Sequence, residues 1–473
     1  GLSRRGAAAS GLAAAACLRG GKNGRSRRGL PGPGSRPAAA AAGGPVARAA
    51  ATGGGSVRER YCMIVAVSLC SASNAFLCMT FSVLEQLSAQ ALSVGTLKVA
   101  GLYSIWLAVV FVGLTPGTFM TDRYEGLSLV WSALFNVGSG VVRAFGATRG
   151  SYNLMIASEI LCGVGAWTIF TLPSKISHRL FPVRQQALAT SIMLQANYMG
   201  WLFGILIPPL LATGPTAFGR VCAWQAGVTL VASTAALLMF GLRRSGAQRS
   251  AKVEEPMPSR KTSGFIELVQ IMIQHPRLAA QILSHGLLGG VSFAAPSAIF
   301  FILDNFGFSP AAATAVNTGF VAAGIVTGLV LGRLCRDKRS FGRALTTCYA
   351  TCLASLVACA ALAAGGILTG DSAGGLALLL LLSMLSGSSS LGFIGIGIES
   401  TSLYPVRSSF VSWGIELVVL ASAAVLSYVA AGRSGFAVLA VAAAVCSFVH
   451  FSSFRVDSTG MPRLGSAVQP TAS

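Results

Sequence analysis

Long apolar runs alternate along this chain with short polar turns, most of them basic. The stretch 163–211, GVGAWTIFTLPSKISHRLFPVRQQALATSIMLQANYMGWLFGILIPPLL, shows the unit. One apolar run ends in a turn carrying Lys175, His178, Arg179 and Arg184, and a second run begins at once. Each run approaches the roughly 20 residues that a helix needs to cross about 30 Å of hydrocarbon. The pattern predicts twelve spans, near 61–84, 100–121, 127–147, 152–175, 185–211, 221–242, 277–303, 309–333, 343–368, 373–398, 407–430 and 434–454. The predicted fold class is an all-α membrane protein of twelve transmembrane helices in two six-helix halves. The first bundle covers 61–242 and the second 277–454, with a polar linker at 243–276 and a disordered tail at 455–473.

Composition removes the soluble alternative. Only 10% of residues are charged and 53% are apolar, with a mean hydropathy of +0.69. A water-soluble chain of this length needs a charged skin that this one lacks. The net charge of +21 follows loops, without the interleaved aromatics a nucleic-acid surface needs, so nucleic acid is not an expected partner. Residues 1–60 are rich in Ala, Gly and Arg, with Glu59 their one acid. They read as a disordered basic tail that meets anionic lipid, or as a transit-like leader. With both termini in the cytoplasm, basic residues divide seventeen to five between inner loops and outer loops or span ends, the outer five being Lys98, Arg143, Arg149, Arg220 and Arg433. That asymmetry orients the spans. The chain is expected to be multi-pass in the plasma membrane or an organelle membrane. The scattered cysteines and the four separated histidines form neither a disulfide framework nor a metal set, and no cofactor is expected.

A short repeat links the two halves. PGTFMTDRYEG follows the second span and LGRLCRDKRSFGR the eighth. Both read Gly, four residues, Asp, base, at Gly117, Asp122 and Arg123 and at Gly332, Asp337 and Lys338. The glycine permits close helix approach. The Asp with its basic neighbour predicts a cytoplasmic gate formed by Asp122, Arg123, Asp337 and Lys338. Parallel six-span repeats of this kind build the major facilitators.

Charge at mid-membrane costs about 2.5–3.5 kcal/mol on insertion scales, so each carboxylate there calls for a role. Glu416 stands nine residues into the eleventh span, about 13 Å deep at 1.5 Å per residue. Glu159 is similarly deep in the fourth. Either one is a candidate for proton coupling. Asn74, Cys78 and Phe81 share a face of the first span. Asn197, Tyr198 and Trp201 group in the fifth. Phe293 lies beside Pro296, a candidate helix break in the seventh, and Trp413 lies one turn from Glu416. Together these nine residues predict a cavity with aromatic walls and a carboxylate, suited to an organic ammonium. The glycine run GFIGIGIES in the tenth span predicts close packing or a bend.

The stretches LYSIWLAVVFVGLTPGTFMTDRYEGL, FNVGSGVVR and LPSKISHRLFPVRQQALATSIMLQANYMGWLFGILIPP, with GFIGIGIESTSLYP and SSFVSWGIELVV later, resemble the FLVCR-related group. This is the feline leukaemia virus subgroup C receptor group, solute carrier family 49, within the major facilitators. The resemblance implies alternating-access transport of a small molecule, and the chain is expected to be a monomer. The solutes it implies are choline or ethanolamine, with haem and pyridoxine as alternatives. A non-transporting receptor or sensor on the same scaffold is the competing class, and an enzyme is not expected. By position Asn74 and Asn197 match family asparagines, and Phe293 stands where choline-carrying members have Tyr. Cys78 replaces the family's first-span Trp, Tyr198 a Gln and Glu416 an Asn, while the eleventh-span Gln falls at Leu420. The site thus keeps aromatic character but relocates its polarity, which points to a related amine or a vitamin-like solute.

Overall fold

A computed structural model describes residues 56–212, 217–247, 264–370, 372–401, 404 and 406–453. Residues 1–55 of the expected leader, residues 248–263 of the polar linker and the C-terminal tail lie outside the described residues. Those described form helices α1 (Val57–Cys78), α2 (Thr80–Val83), α3 (Glu85–Leu92), α4 (Thr96–Arg123), α5 (Glu125–Arg149) and α6 (Tyr152–Ala166). Next come α7 (Leu172–Leu180), α8 (Val183–Leu211), α9 (Ala217–Ala247), α10 (Gly264–Gln274), α11 (Pro276–Asp304) and α12 (Pro310–Leu334). The last are α13 (Lys338–Ala364), α14 (Ala373–Ser390), α15 (Ile394–Thr401), α16 (Ser408–Val429) and α17 (Gly435–Ser453). Among the described residues, eleven helical segments are long and apolar enough to cross a membrane, and the shorter α6 completes the predicted set. Their ends follow local chemistry. Pro276 and Pro310 occupy first helical positions, where a missing N–H costs nothing. Gly150, at φ 59°, closes α5 in the left-handed region.

The two halves repeat one packing scheme. In the first, α1 packs on α8 and α9; in the second, α11 packs on α16 and α17. The halves meet along α8 against α12 and along α4 against α16. Ion pairs fix which loops share a face. Glu59 and Glu125 both meet Arg179 and Arg243, at 2.9–3.5 Å. The first described residues and the connections after α4, α7 and α9 therefore lie together, at what is called here the terminal face. The repeat's glycines mark close approaches, as expected. A methyl group at Gly117 would strike the Trp167 backbone, and one at Gly332 would strike Ser191.

Spans four and ten are broken at corresponding places, between α6 and α7 and between α14 and α15. Backbone freed at membrane depth must find partners within the protein. Here each break is bonded from the opposite half. Ser412 of α16 donates to the Phe170 carbonyl at 3.2 Å, and Gln195 of α8 donates to the Leu391 carbonyl at 3.3 Å. Ser292 also donates to the Ser390 carbonyl.

Two expectations are corrected. Pro296 does not break its helix, since α11 runs unbroken from Pro276 to Asp304. The Pro296 carbonyl accepts from Asn317 Nδ2 at 2.7 Å, which holds α12 against this turn. The linker also contains structure. Its sequence reads as polar, but α10 buries Gly264 and Leu268 and sets Phe265 against Phe119, Phe410 and Trp413.

Candidate functional site

Where the halves meet at mid-depth, Ser71, Ile169, Phe170, Leu194, Asn197, Tyr198, Phe293 and Glu416 surround a cavity of about 10 Å³. That is room for about one water molecule. The fold builds it from four helices. α1 and α8 supply Ser71, Asn197 and Tyr198, and the broken turn after α6 supplies Ile169 and Phe170. α11 supplies Phe293 and α16 supplies Glu416.

Phe293 centres an aromatic cluster. Its ring centroid lies 4.7 Å from Trp201 and 6.2 Å from both Tyr198 and Phe170. Trp106 extends the cluster, 6.4 Å from Phe170. Asn197 Nδ2 donates to Ser71 Oγ at 3.1 Å. Glu416 is 1% exposed, and its Oε2 has no hydrogen-bond partner among the described residues. Tyr103 Oη and Trp106 Nε1, in the same apolar cluster, are likewise buried without partners among the described residues. Buried polar atoms of this kind are few in native proteins, and each calls for an explanation.

The structure gathers Asn197, Tyr198, Trp201, Phe293 and Glu416, sets Cys78 against Trp201, and separates Asn74, Phe81 and Trp413. Asn74 belongs to a network inside the first half. Its Nδ2 donates to Asn136 Oδ1 at 2.7 Å and to the Cys162 carbonyl at 2.8 Å. Cys78 donates to its own helix, at the Ala75 carbonyl. Phe81 lies under the Arg143 guanidinium, 4.7 Å from ring centre to Cζ. Trp413 turns away from Glu416, its Nε1 donating to Thr115 Oγ1 at 3.2 Å and its ring meeting Phe265.

Arg143 is the residue that loop counting misplaces. Sequence assigned it to an outer span end, but it is 0% exposed. It is ion-paired and hydrogen-bonded to Glu159. Its other donors reach Ser158 Oγ, Thr80 Oγ1 and the Leu77 carbonyl. A base inside a predicted apolar run, 16 residues before an acid inside the next, was the available signal.

The predicted gate is partly redrawn. Asp122 pairs with Arg407 across the halves and accepts from Ser409 Oγ. Arg123 is exposed. Asp337 instead caps α13, its Oδ1 accepting from Ser340 N at 2.8 Å. The Lys338 side chain lies outside the described residues. A second latch, unseen in the sequence, centres on Glu399 of α15. It accepts from Ser177 Oγ at 3.2 Å and Thr190 Oγ1 at 2.6 Å and meets His178 Nε2 at 3.0 Å. Burial disfavours charge on His178, where the chain leaves the apolar layer. The hydrogen bond and charge of Glu399 outweigh it, and the imidazole titrates above its ordinary range. At the opposite face, burial and then the charge of Asp304 push the Glu85 carboxyl upward, against a hydrogen bond from Thr96.

These features define a class: a helical membrane protein whose two matched halves enclose a small aromatic and acidic centre and are latched at one face. Residues 62–412 match the Major Facilitator Superfamily, and the chain belongs to it. Among curated relatives, the zebrafish (Danio rerio) choline/ethanolamine transporter flvcr2a is 22% identical over 58% of this chain and 60% of its own length. Zebrafish solute carrier family 49 member A3 is 26% identical over 33% of this chain and 34% of its length. The cat (Felis catus) choline/ethanolamine transporter FLVCR1 is 26% identical over 32% of this chain and 28% of its length. The matches thus span between about a quarter and three-fifths of the length of these relatives. In fold, a bacterial homologue of the iron transporter ferroportin in its outward-facing state superposes with a TM-score of 0.60, at 13% identity, covering 84% of this chain and 99% of that one. The proton:xylose symporter XylE gives 0.59 at 12% identity, covering 84% and 95%.

Proposed function

We propose that the chain is a membrane transporter that moves a small organic ammonium compound, of the choline or ethanolamine type, by alternating access through the central cavity. One observation carries the reading: Glu416 is buried at the cavity wall, with no cation among the described residues paired with it, beside the aromatic cluster of Phe293, Tyr198 and Trp201. An unpaired carboxylate at membrane depth is costly. A ligand ammonium would supply the missing charge, and ring faces would add cation–π attraction. The relatives named as choline/ethanolamine transporters support the substrate class. Both halves contribute to the site, so a single chain suffices as a monomer. Glu85 and Asp304 put negative charge at the mouth opposite the termini, which favours entry of a cation. The basic bias of the terminal face supports a cytoplasmic position for that face and for both termini.

The cavity as it stands is too small for the solute, so binding requires the halves to separate. The two latches at the terminal face hold the state described here, and their release would open the site to the cytoplasm. Labelled choline and ethanolamine uptake, measured across external pH beside Glu416→Gln, tests the reading. Uptake that ignores pH and disappears in the variant supports direct ammonium binding. Uptake that follows the proton gradient, and loses that dependence in the variant, makes Glu416 the proton carrier instead. No uptake of either amine by surface-expressed wild type defeats the amine reading.

A further inference from the structure

A much larger cavity lies elsewhere. It measures about 520 Å³ and opens at the terminal face, where α1, α8 and α12 converge. Its walls include Arg60 and Arg184 from the first half and Arg333 and Arg336 from the second. Among the described residues, no acidic side chain lines it. Ile64 and Leu188, further along the same spans, give it an apolar inner wall.

Four guanidinium groups around one cleft repel one another unless something anionic lies between them. The neighbouring acids are committed elsewhere. Glu59 meets Arg179 and Arg243, and Asp337 caps α13. Arg184, Arg333 and Arg336 make no ion pair among the described residues, and Arg336 Nε donates only to the Arg333 carbonyl. Arg60 lies over the Phe181 ring at 5.8 Å. Arginine is the side chain best shaped to hold phosphate by paired N–H donors. Basic pockets between spans at the cytoplasmic end are a known form of lipid-headgroup site. The segment before Val57 is itself basic, so its charge argues against its being the occupant.

We propose that this cleft binds an anionic phospholipid carrying more than one phosphate, with phosphates on the arginines and an acyl chain along Ile64 and Leu188. The site takes two arginines from each half. An occupied cleft therefore ties the halves together at the terminal face and favours the state latched there. This binding is independent of which solute the centre carries.

The test uses the full chain purified in neutral detergent, with dioctanoyl phosphatidylinositol bisphosphate as probe. Dioctanoyl phosphatidylcholine and inositol hexakisphosphate serve as comparators. Binding is read by native mass spectrometry and by thermal shift. The bisphosphate lipid is expected to bind and to raise the melting temperature, and phosphatidylcholine is not. Each of Arg184→Gln, Arg333→Gln and Arg336→Gln should weaken apparent affinity about five-fold, and the three together more. Arg149→Gln, at the opposite face, should leave it unchanged. An unaltered lipid-free melting temperature shows that the triple variant folds; if it does not fold, the exposed single variant Arg184→Gln decides. Equal lipid binding by variant and wild type overturns the proposal. Hexakisphosphate binding as tightly as the lipid overturns the lipid assignment.

Discussion

Two buried carboxylates at similar depth meet opposite surroundings. Glu159 in the first half is ion-paired with Arg143, which is also anchored to Ser158, Thr80 and the Leu77 carbonyl. Glu416 in the second half faces the cavity, with Oε2 unpartnered. Glu159 Oε2 is likewise without a hydrogen-bond partner among the described residues, but its charge is met by an anchored arginine, and such a buried pair is a fixed piece of architecture. A lone carboxylate beside a void is available for chemistry. On the function proposed above, the difference gives one half of the centre a structural part and the other a part in recognition, although the halves share one packing plan.

The sharpest way to break this comparison is to remove Arg143. Arg143→Leu strands Glu159 in a dry interior and should cost about 3–5 kcal/mol, seen as a large drop in melting temperature and surface expression. Adding Glu159→Leu should restore most of the loss. Failure of the double variant to recover would mean that the pair does not act as a unit. Glu416→Gln should do the reverse, leaving the melting temperature unchanged or higher while cutting amine uptake roughly ten-fold or more. A melting loss as large as that of Arg143→Leu would erase the distinction.

The latch at Glu399 sharpens the comparison through pH. His178 titrates above its ordinary range in the folded protein. Its pairing therefore adds stability that is complete below an imidazole's usual value of about 6.5 and is lost as pH rises through the raised value. The stability gap between wild type and His178→Gln should shrink with rising pH. A gap that widens would show that the neutral imidazole makes the contact. The smallest effects belong to the broken spans. Ser412→Ala and Gln195→Met should each cost about 1 kcal/mol or less in stability, and should speed cysteine labelling at the terminal face more than either lowers melting temperature.

The spans and the halves were legible because hydrophobic length and basic turns are local signals. Glycine spacing also anticipated real contacts at Gly117 and Gly332. The site was legible where residues share one helix face. Asn197, Tyr198 and Trp201 arrive together because α8 carries them, and Glu416 stood out as a charge inside an apolar run. Asn74 and Trp413 misled because face-sharing says nothing about rotation. Asn74 faces Asn136 and Cys162, and Trp413 faces α4 and α10. Arg143 was lost to a rule that counts bases as loop markers. Phe170 and the Glu399 latch depend on breaks in spans four and ten and on contact between the halves, which no single window of sequence contains.

Those breaks have a consequence for how cargo and conformation are coupled. The carbonyls of Phe170 and Leu391 are each capped by a side chain from the opposing half, near the cavity in the first case and deep between α8 and α14 in the second. Separating the halves uncaps both oxygens together and turns the seam into a pair of acceptors. A guest bearing N–H or O–H donors can take over the vacated bonds, whereas a quaternary ammonium without a hydroxyl, having no such donor to give, cannot. Donor-bearing amines should therefore pass through the cycle with a lower barrier than donor-free ones of equal charge, so the seam itself reads the chemistry of the guest.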